Sequence, residues 1–214
     1  MAYGKATLGN TANLWPLAIP LSWLTGFGHF PIIVFRLTSY IATVVVGVFF
    51  GFAVLKRFVS LAPADRWFLA LMATTLALNI QTSFSFLLVT PTYQWVIQVG
   101  VILCGISCLI LGAPNVSKFS RTSALLIGSF GVLLMILSRL PGGIIAAALM
   151  LLYLRYGNSS WSNIWRFVVY LASGFLLVYA AYPSVLHDYL INFMWSRTLN
   201  PTGYQLVPKL FDVS

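Results

Sequence analysis

Six apolar runs, most near the length of a bilayer crossing and separated by short polar gaps, occupy most of this 214-residue chain. A helix needs about 20 apolar residues to cross the hydrocarbon core. Lipid offers backbone N–H and C=O groups no hydrogen-bond partner, so a spanning segment must be a helix or part of a closed barrel. Pro31 to Leu55 supplies the first run and is stopped by Lys56 and Arg57. Trp67 to Val89 follows Asp65 and Arg66 and ends at Thr90-Pro91, where proline lacks a donor and restricts its predecessor. Tyr93 to Gly112 is the third run, Thr122 to Ser138 the fourth, and Ile164 to Tyr182, closed by Pro183, the last. Between them Ile144 to Leu154 is short, and Arg139-Leu140-Pro141-Gly142-Gly143 precedes it. This stretch reads as a tight turn joining two short crossing helices, with a single kinked helix as the alternative. The pattern predicts an all-α fold, a polytopic transmembrane helix bundle of about six spans. The polar start and the short Pro- and Trp-bearing stretch Asn13 to Phe27 add an outer interfacial helix, or a loop packed on the bundle.

Charge then orients the spans. Seven of the twelve cationic residues lie in three gaps that alternate onto one side: Lys56, Arg57 and Arg66; Lys118 and Arg121; Arg155 and Arg166. An excess of Lys and Arg marks the cytoplasmic side. With an even number of crossings, both termini fall outside. A kink at residues 138–143 would move Arg155 and Arg166 across the membrane and weaken the bias, which favours two helices. The expected organisation is residues 1–30 as an outer polar and interfacial segment, 31–182 as the bundle, and 183–214 as an outer carboxy-terminal tail. In a bacterium this is an inner-membrane protein.

Composition narrows the chemistry. Residues are 60% hydrophobic and 7% charged, against roughly 25% charged in soluble domains. The net charge of +9 therefore points to anionic membrane lipid rather than nucleic acid as the partner. There is no Glu, and Asp65, Asp188 and Asp212 are the only acids, which leaves little for acid-base or metal chemistry. Cys104 and Cys108 lie on one helical face and read as small packing residues. Neither His29 nor His187 has metal-ligand spacing, although His187-Asp188 sets a base beside a carboxylate. No phosphate-binding loop, nucleophile elbow or dinucleotide fingerprint occurs, so no cofactor is implied.

Ionisable groups at membrane depth are functional candidates, because burying an unpaired charge there is costly. Arg36, about one turn into the first span, and Arg139, at the break, both fall near the outer face. Each could snorkel to lipid phosphate. The alternative for Arg139 is a phosphate-bearing ligand, since arginine offers a planar fork of donors and the adjoining glycines allow close approach. Asn79, Gln81, Thr82, Ser83 and Ser85 interrupt the second span. They suit inter-helix hydrogen bonding or, with Tyr93 at the start of the third span, the lining of a polar cavity. Gly47 and Gly51 form a GxxxG pair for which helix packing is a sufficient explanation.

The order of these features resembles membrane glycosyltransferases of the GT-C superfamily. The segment LWPLAIPLSWLTGFGHFPIIVFRLTSYIATVVVGVFFGFAVLKRF resembles their Pro-Leu interfacial helix leading to a helix opened by Arg-Leu-Ser/Thr, here Arg36, Leu37, Thr38 and Ser39. Pro91, Tyr93 and Trp95 look like their "Pro, aromatic, long apolar helix" element. Arg139 and Pro141 look like the turn between their paired short helices. The resemblance spans roughly Leu14 to Leu154. It implies transfer of a sugar from a polyprenyl-phosphate carrier to an outer-face acceptor, with Arg36 and Arg139 facing the lipid phosphate. The chain departs from the family in having no acidic residue before Asp65, where members carry a catalytic Asp or Glu in the first outer loop after an initial helix. This implies an amino-terminally truncated member, or a shortened relative without that chemistry. The other expectations are a non-catalytic subunit with a membrane protein partner, and a small transporter or channel.

Overall fold

The structure is a computed structural model and describes residues 32–84, 93–157, 160–181 and 183. Among them are six α-helices and no strand: α1 (Ile32–Arg57), α2 (Pro63–Phe84), α3 (Tyr93–Leu111), α4 (Lys118–Ser138), α5 (Leu140–Tyr156) and α6 (Trp161–Ala181). The fold is all-α, as the apolar runs predict. Three segments are long and apolar enough to cross a membrane, Tyr40–Arg57, Lys118–Ser138 and Trp161–Ala181; Trp95–Leu111 and Leu140–Tyr156 are shorter apolar helices. The interfacial segment from Asn13 to Phe27, His29, and the tail with His187 and Asp188 lie outside the described residues. The chain divides into units of residues 1–175 and 176–214, and the packing below belongs to the first.

Several helices begin ahead of their apolar runs because polar residues at their starts satisfy the backbone. α2 opens at Pro63 rather than Trp67: proline suits a first turn whose N–H groups are unbonded in any case, and Asp65 there complements the helix dipole. α4 opens at Lys118 because Ser117 is its N-cap, its hydroxyl accepting from the Ser120 N–H at 3.1 Å. The gap before α4 is therefore loop only as far as Ser117, turning through Asn115 at φ 56°, a left-handed conformation that asparagine tolerates.

The break at Arg139 is a helical hairpin. Its backbone is extended, φ −155° and ψ 99°. Its N–H closes α4 on the Met135 carbonyl at 2.8 Å, and its own carbonyl accepts from Gly143 N–H at 3.1 Å to open α5. α5 then runs back along α4. Gly143 lies against Ile136 and Gly128 against Met150, while Leu125 and Leu154 share one buried cluster. A single kinked helix would hold these pairs apart.

Lipid tails are as apolar as leucine, so helices in a bilayer associate through close packing of small residues and hydrogen bonds rather than hydrophobic burial. The bundle follows that rule. Gly47 and Gly51 receive α2, lying against Leu78 and Ala77 and against Thr74 and the Ala70 carbonyl, so the GxxxG face is filled within the chain. α3 and α4 meet at Gly100 and Gly131, and again at Ser107 and Gly128, two turns further along α3. Buried Phe167 of α6 joins the Leu125, Val132, Met150 and Leu154 cluster, and its carbonyl accepts from Ser129 Oγ at 3.2 Å. Outside this core, Phe49, Phe52, Phe68, Leu71, Phe130, Ile145 and Leu149 are exposed, an apolar exterior suited to lipid. Cys104 and Cys108 are free thiols on the α4 and α5 side of α3. Cys104 Sγ lies 3.8 Å from the Gly128 carbonyl and Cys108 Sγ 3.5 Å from Met150 Sδ, as packing residues would.

Candidate functional site

The helix directions gather the basic gaps at one end of the bundle. The α1/α2 pairing of Gly47 with Leu78 and Gly51 with Thr74 is antiparallel, so Arg57 and Arg66 fall at the same end. Lys56 Nζ at the close of α1 donates to Ser120 Oγ in the first turn of α4 at 2.9 Å. Next to it, Arg57 turns toward α3. A Cβ at Gly112 would stand 3.3 Å from Arg57 Nε and 2.9 Å from Tyr153 Oη, so glycine there makes the room in which guanidinium and phenol come together. Tyr153 in turn donates to the Cys108 carbonyl at 2.7 Å, tying the last turn of α5 to α3. Arg155 stacks over the Trp161 ring at 5.6 Å and joins the end of α5 to the start of α6. Asp65 is the only carboxylate among the described residues.

The residues singled out as site candidates gather at the opposite end. There Trp95, Val96, Val99 and Leu134 form a buried cluster with Ala42 and Val46 against it, and buried Trp95 donates from Nε1 to Thr43 Oγ1 at 2.8 Å. That bond fixes a level common to α1 and α3. The α1/α2 register places Asn79, Gln81 and Ser83 about level with Val46, Val44 and Ala42 on the α2 backbone. Tyr93 lies two residues before Trp95 at the start of α3, and Arg36 two turns before Thr43 in α1. The side chains of Arg36, Asn79, Gln81, Ser83 and Tyr93 lie outside the described set. Arg139 is described: exposed, five residues beyond Leu134, it caps α4 and precedes α5 without a side-chain cap bond. A Cβ at the nearby Gly142 would meet nothing within 4 Å, so the face of that turn is open.

Among the described residues no three His, Cys, Asp or Glu side chains converge as a metal site would require. The sequence missed Ser120, Gly112 and Tyr153 at the basic end, because an uncharged serine, a glycine and a tyrosine in separate helices carry no spacing signal. It also missed the Thr43 to Trp95 bond, which depends on the α1/α3 register. No protein-family model, curated protein or solved structure matches this chain.

Proposed function

We propose that this chain is a multi-pass membrane protein whose outer end receives the phosphate of a polyprenyl-phosphate carrier at Arg139, with Arg36 second, in the manner of a GT-C-like glycosyltransferase. The observation that supports this reading most directly is the exposed Arg139, which makes no side-chain cap bond, at an open helix-hairpin turn at the end of the bundle away from the basic gaps. A guanidinium at the start of α5 adds its charge to the positive end of that helix dipole, a combination that favours a phosphate group. The same end carries the Asn79, Gln81 and Ser83 turns of α2 and the start of α3 at Tyr93, from which a polar pocket for the carrier head could be built. A base for sugar transfer is not among the described residues here, since Asp65 lies at the other end. Carrier binding is the step these residues support.

Two experiments test this reading. Purified full-length chain binds a polyprenyl phosphate more tightly than the uncharged polyprenol of the same length, and Arg139→Ala weakens that binding at least about tenfold, roughly 1.4 kcal/mol. Equal affinity for phosphate and alcohol, or an unchanged Arg139→Ala affinity, would count against it. The second concerns sidedness, with the basic end cytoplasmic and both termini outside. In a Cys104→Ala/Cys108→Ala background, Gly142→Cys is expected to react with a membrane-impermeant maleimide in intact cells and Ser120→Cys only after lysis. The reverse pattern would invert the topology and place Arg139 inside.

A further inference from the structure

We infer that the basic end is a docking surface for anionic phospholipid headgroups, centred where the end of α1 meets the start of α4. The reason lies in how its cations are held. Lys56 and Arg57 are consecutive yet diverge, one to Ser120 on α4 and the other into the space left by Gly112 beside Tyr153. Lys56 gives Ser120 one of its three N–H donors, which leaves donors for another acceptor. Exposed Lys118 and Arg121 stand in the first turn of α4, where no acid balances them and the helix dipole is itself positive. Like charges are thus gathered on one face, and Asp65 is the only described carboxylate to offset them. This arrangement is unfavourable alone and becomes favourable when an anion covers it.

The aromatic side chains of the same end decide which anion. Phe58, Phe119, Tyr156 and Trp161 are all exposed there, Phe119 at 82% and Tyr156 at 83%. The rings of Tyr156 and Trp161 are at home in the headgroup layer, where an apolar body and a polar tip are both solvated, and Phe58 and Phe119 beside them add apolar area that water would not favour. Cations and rings at one level therefore place the surface among lipid phosphates rather than in free solution. A zwitterionic head presents its own cation to this surface, whereas an anionic head does not. The surface should therefore select phosphatidylglycerol-type lipid over phosphatidylcholine. This inference stands on residues at the opposite end from Arg139, so it holds or fails separately from the carrier reading.

The test uses the full chain in an uncharged detergent, equilibrated with equal amounts of phosphatidylglycerol and phosphatidylcholine of identical acyl chains. Retained lipid is counted by native mass spectrometry. Phosphatidylglycerol is expected at about tenfold excess, reduced on raising salt to about 0.5 M. The excess is expected to fall severalfold in Lys56→Gln/Arg57→Gln. Lys118→Gln/Arg121→Gln, at exposed positions of α4, gives the same reading if the first pair fails to fold. Glycerol phosphate added in excess should leave the retained lipid in place. Equal retention of both lipids, an undiminished excess in both variants, or full displacement by glycerol phosphate would each overturn the inference.

Discussion

Gly143→Ala is expected to destabilise the bundle by about 2 to 3 kcal/mol, while Gly142→Ala, one residue earlier, is expected to be neutral or stabilising by up to about 1 kcal/mol. Both glycines sit in the first turn of α5, neither has a positive φ, and alanine brings each the same gain in helix propensity. What differs is the far side of the helix. A Cβ at position 143 would overlap the backbone Cα and N of Ile136 in α4, and a helix backbone cannot yield as a flexible side chain does. At position 142 a Cβ would meet nothing within 4 Å. The pair thus separates helix propensity from hairpin closure, and unfolding by denaturing detergent, followed by circular dichroism, measures both. Equal effects at the two positions would mean that α4 and α5 do not meet as the hairpin requires.

That hairpin was legible in the sequence for two independent reasons. Proline and paired glycines interrupt an apolar stretch at Arg139, and the basic gaps sort onto one side only if the chain turns back there. The end of α1 was legible, because Lys56-Arg57 stop an apolar run there; the ends expected at Thr90-Pro91 and Pro183 fall among or beside residues outside the described set. The misses at helix starts share one cause. Pro63 and Lys118 lie outside the apolar windows, yet an N-cap hydroxyl or a first-turn proline extends a helix into polar sequence. Cys104 and Cys108 at i, i+4 could be read as one face of α3, and both do pack against the one buried cluster around Leu125, Val132 and Met150.

The site was legible only in part. Arg139 could be placed at a turn between two helices, at the end away from the basic gaps, because the break and the charge pattern agree, and the structure adds an extended backbone and an exposed side chain. The gathering of Arg36, the polar turns of α2 and Tyr93 at one end follows from helix direction alone, so counting spans was enough to anticipate it. Contacts between helices were not legible, because they depend on register. Lys56 reaching Ser120, or Arg57 reaching the space beside Gly112, needs the rotation of four helices about their axes, which hydropathy does not encode. The GxxxG pair shows the same limit from the other side. The spacing announced a close contact, but only the structure identifies α2 as the helix that makes it.

The largest single loss is expected from Gly131→Val, at about 3 kcal/mol or more, because it forces apart α3 and α4, which share the most extensive helix contact in the bundle. A Cβ at position 131 would lie 2.7 Å from the Gly100 carbonyl oxygen, 3.0 Å from Leu103 Cβ and 3.2 Å from Cys104 Sγ. The contact is reciprocal, since a Cβ at position 100 would lie 2.8 Å from the Gly131 carbonyl oxygen and 2.5 Å from Met135 Cγ. Two different obstacles are present at position 100. Met135 is a flexible side chain that can be cut back, whereas the Gly131 carbonyl belongs to the helix itself. Gly100→Ala should therefore be rescued only in part by Met135→Ala, and trimming Cys104 to alanine should not rescue Gly131→Val. Stability of the four variants in a detergent-unfolding titration, set beside Met135→Ala alone, checks this directly. Complete recovery of Gly100→Ala by Met135→Ala would show that the two backbones have room to spare. α3 and α4 would then be held by side-chain fit rather than by the closeness that a glycine on each helix permits.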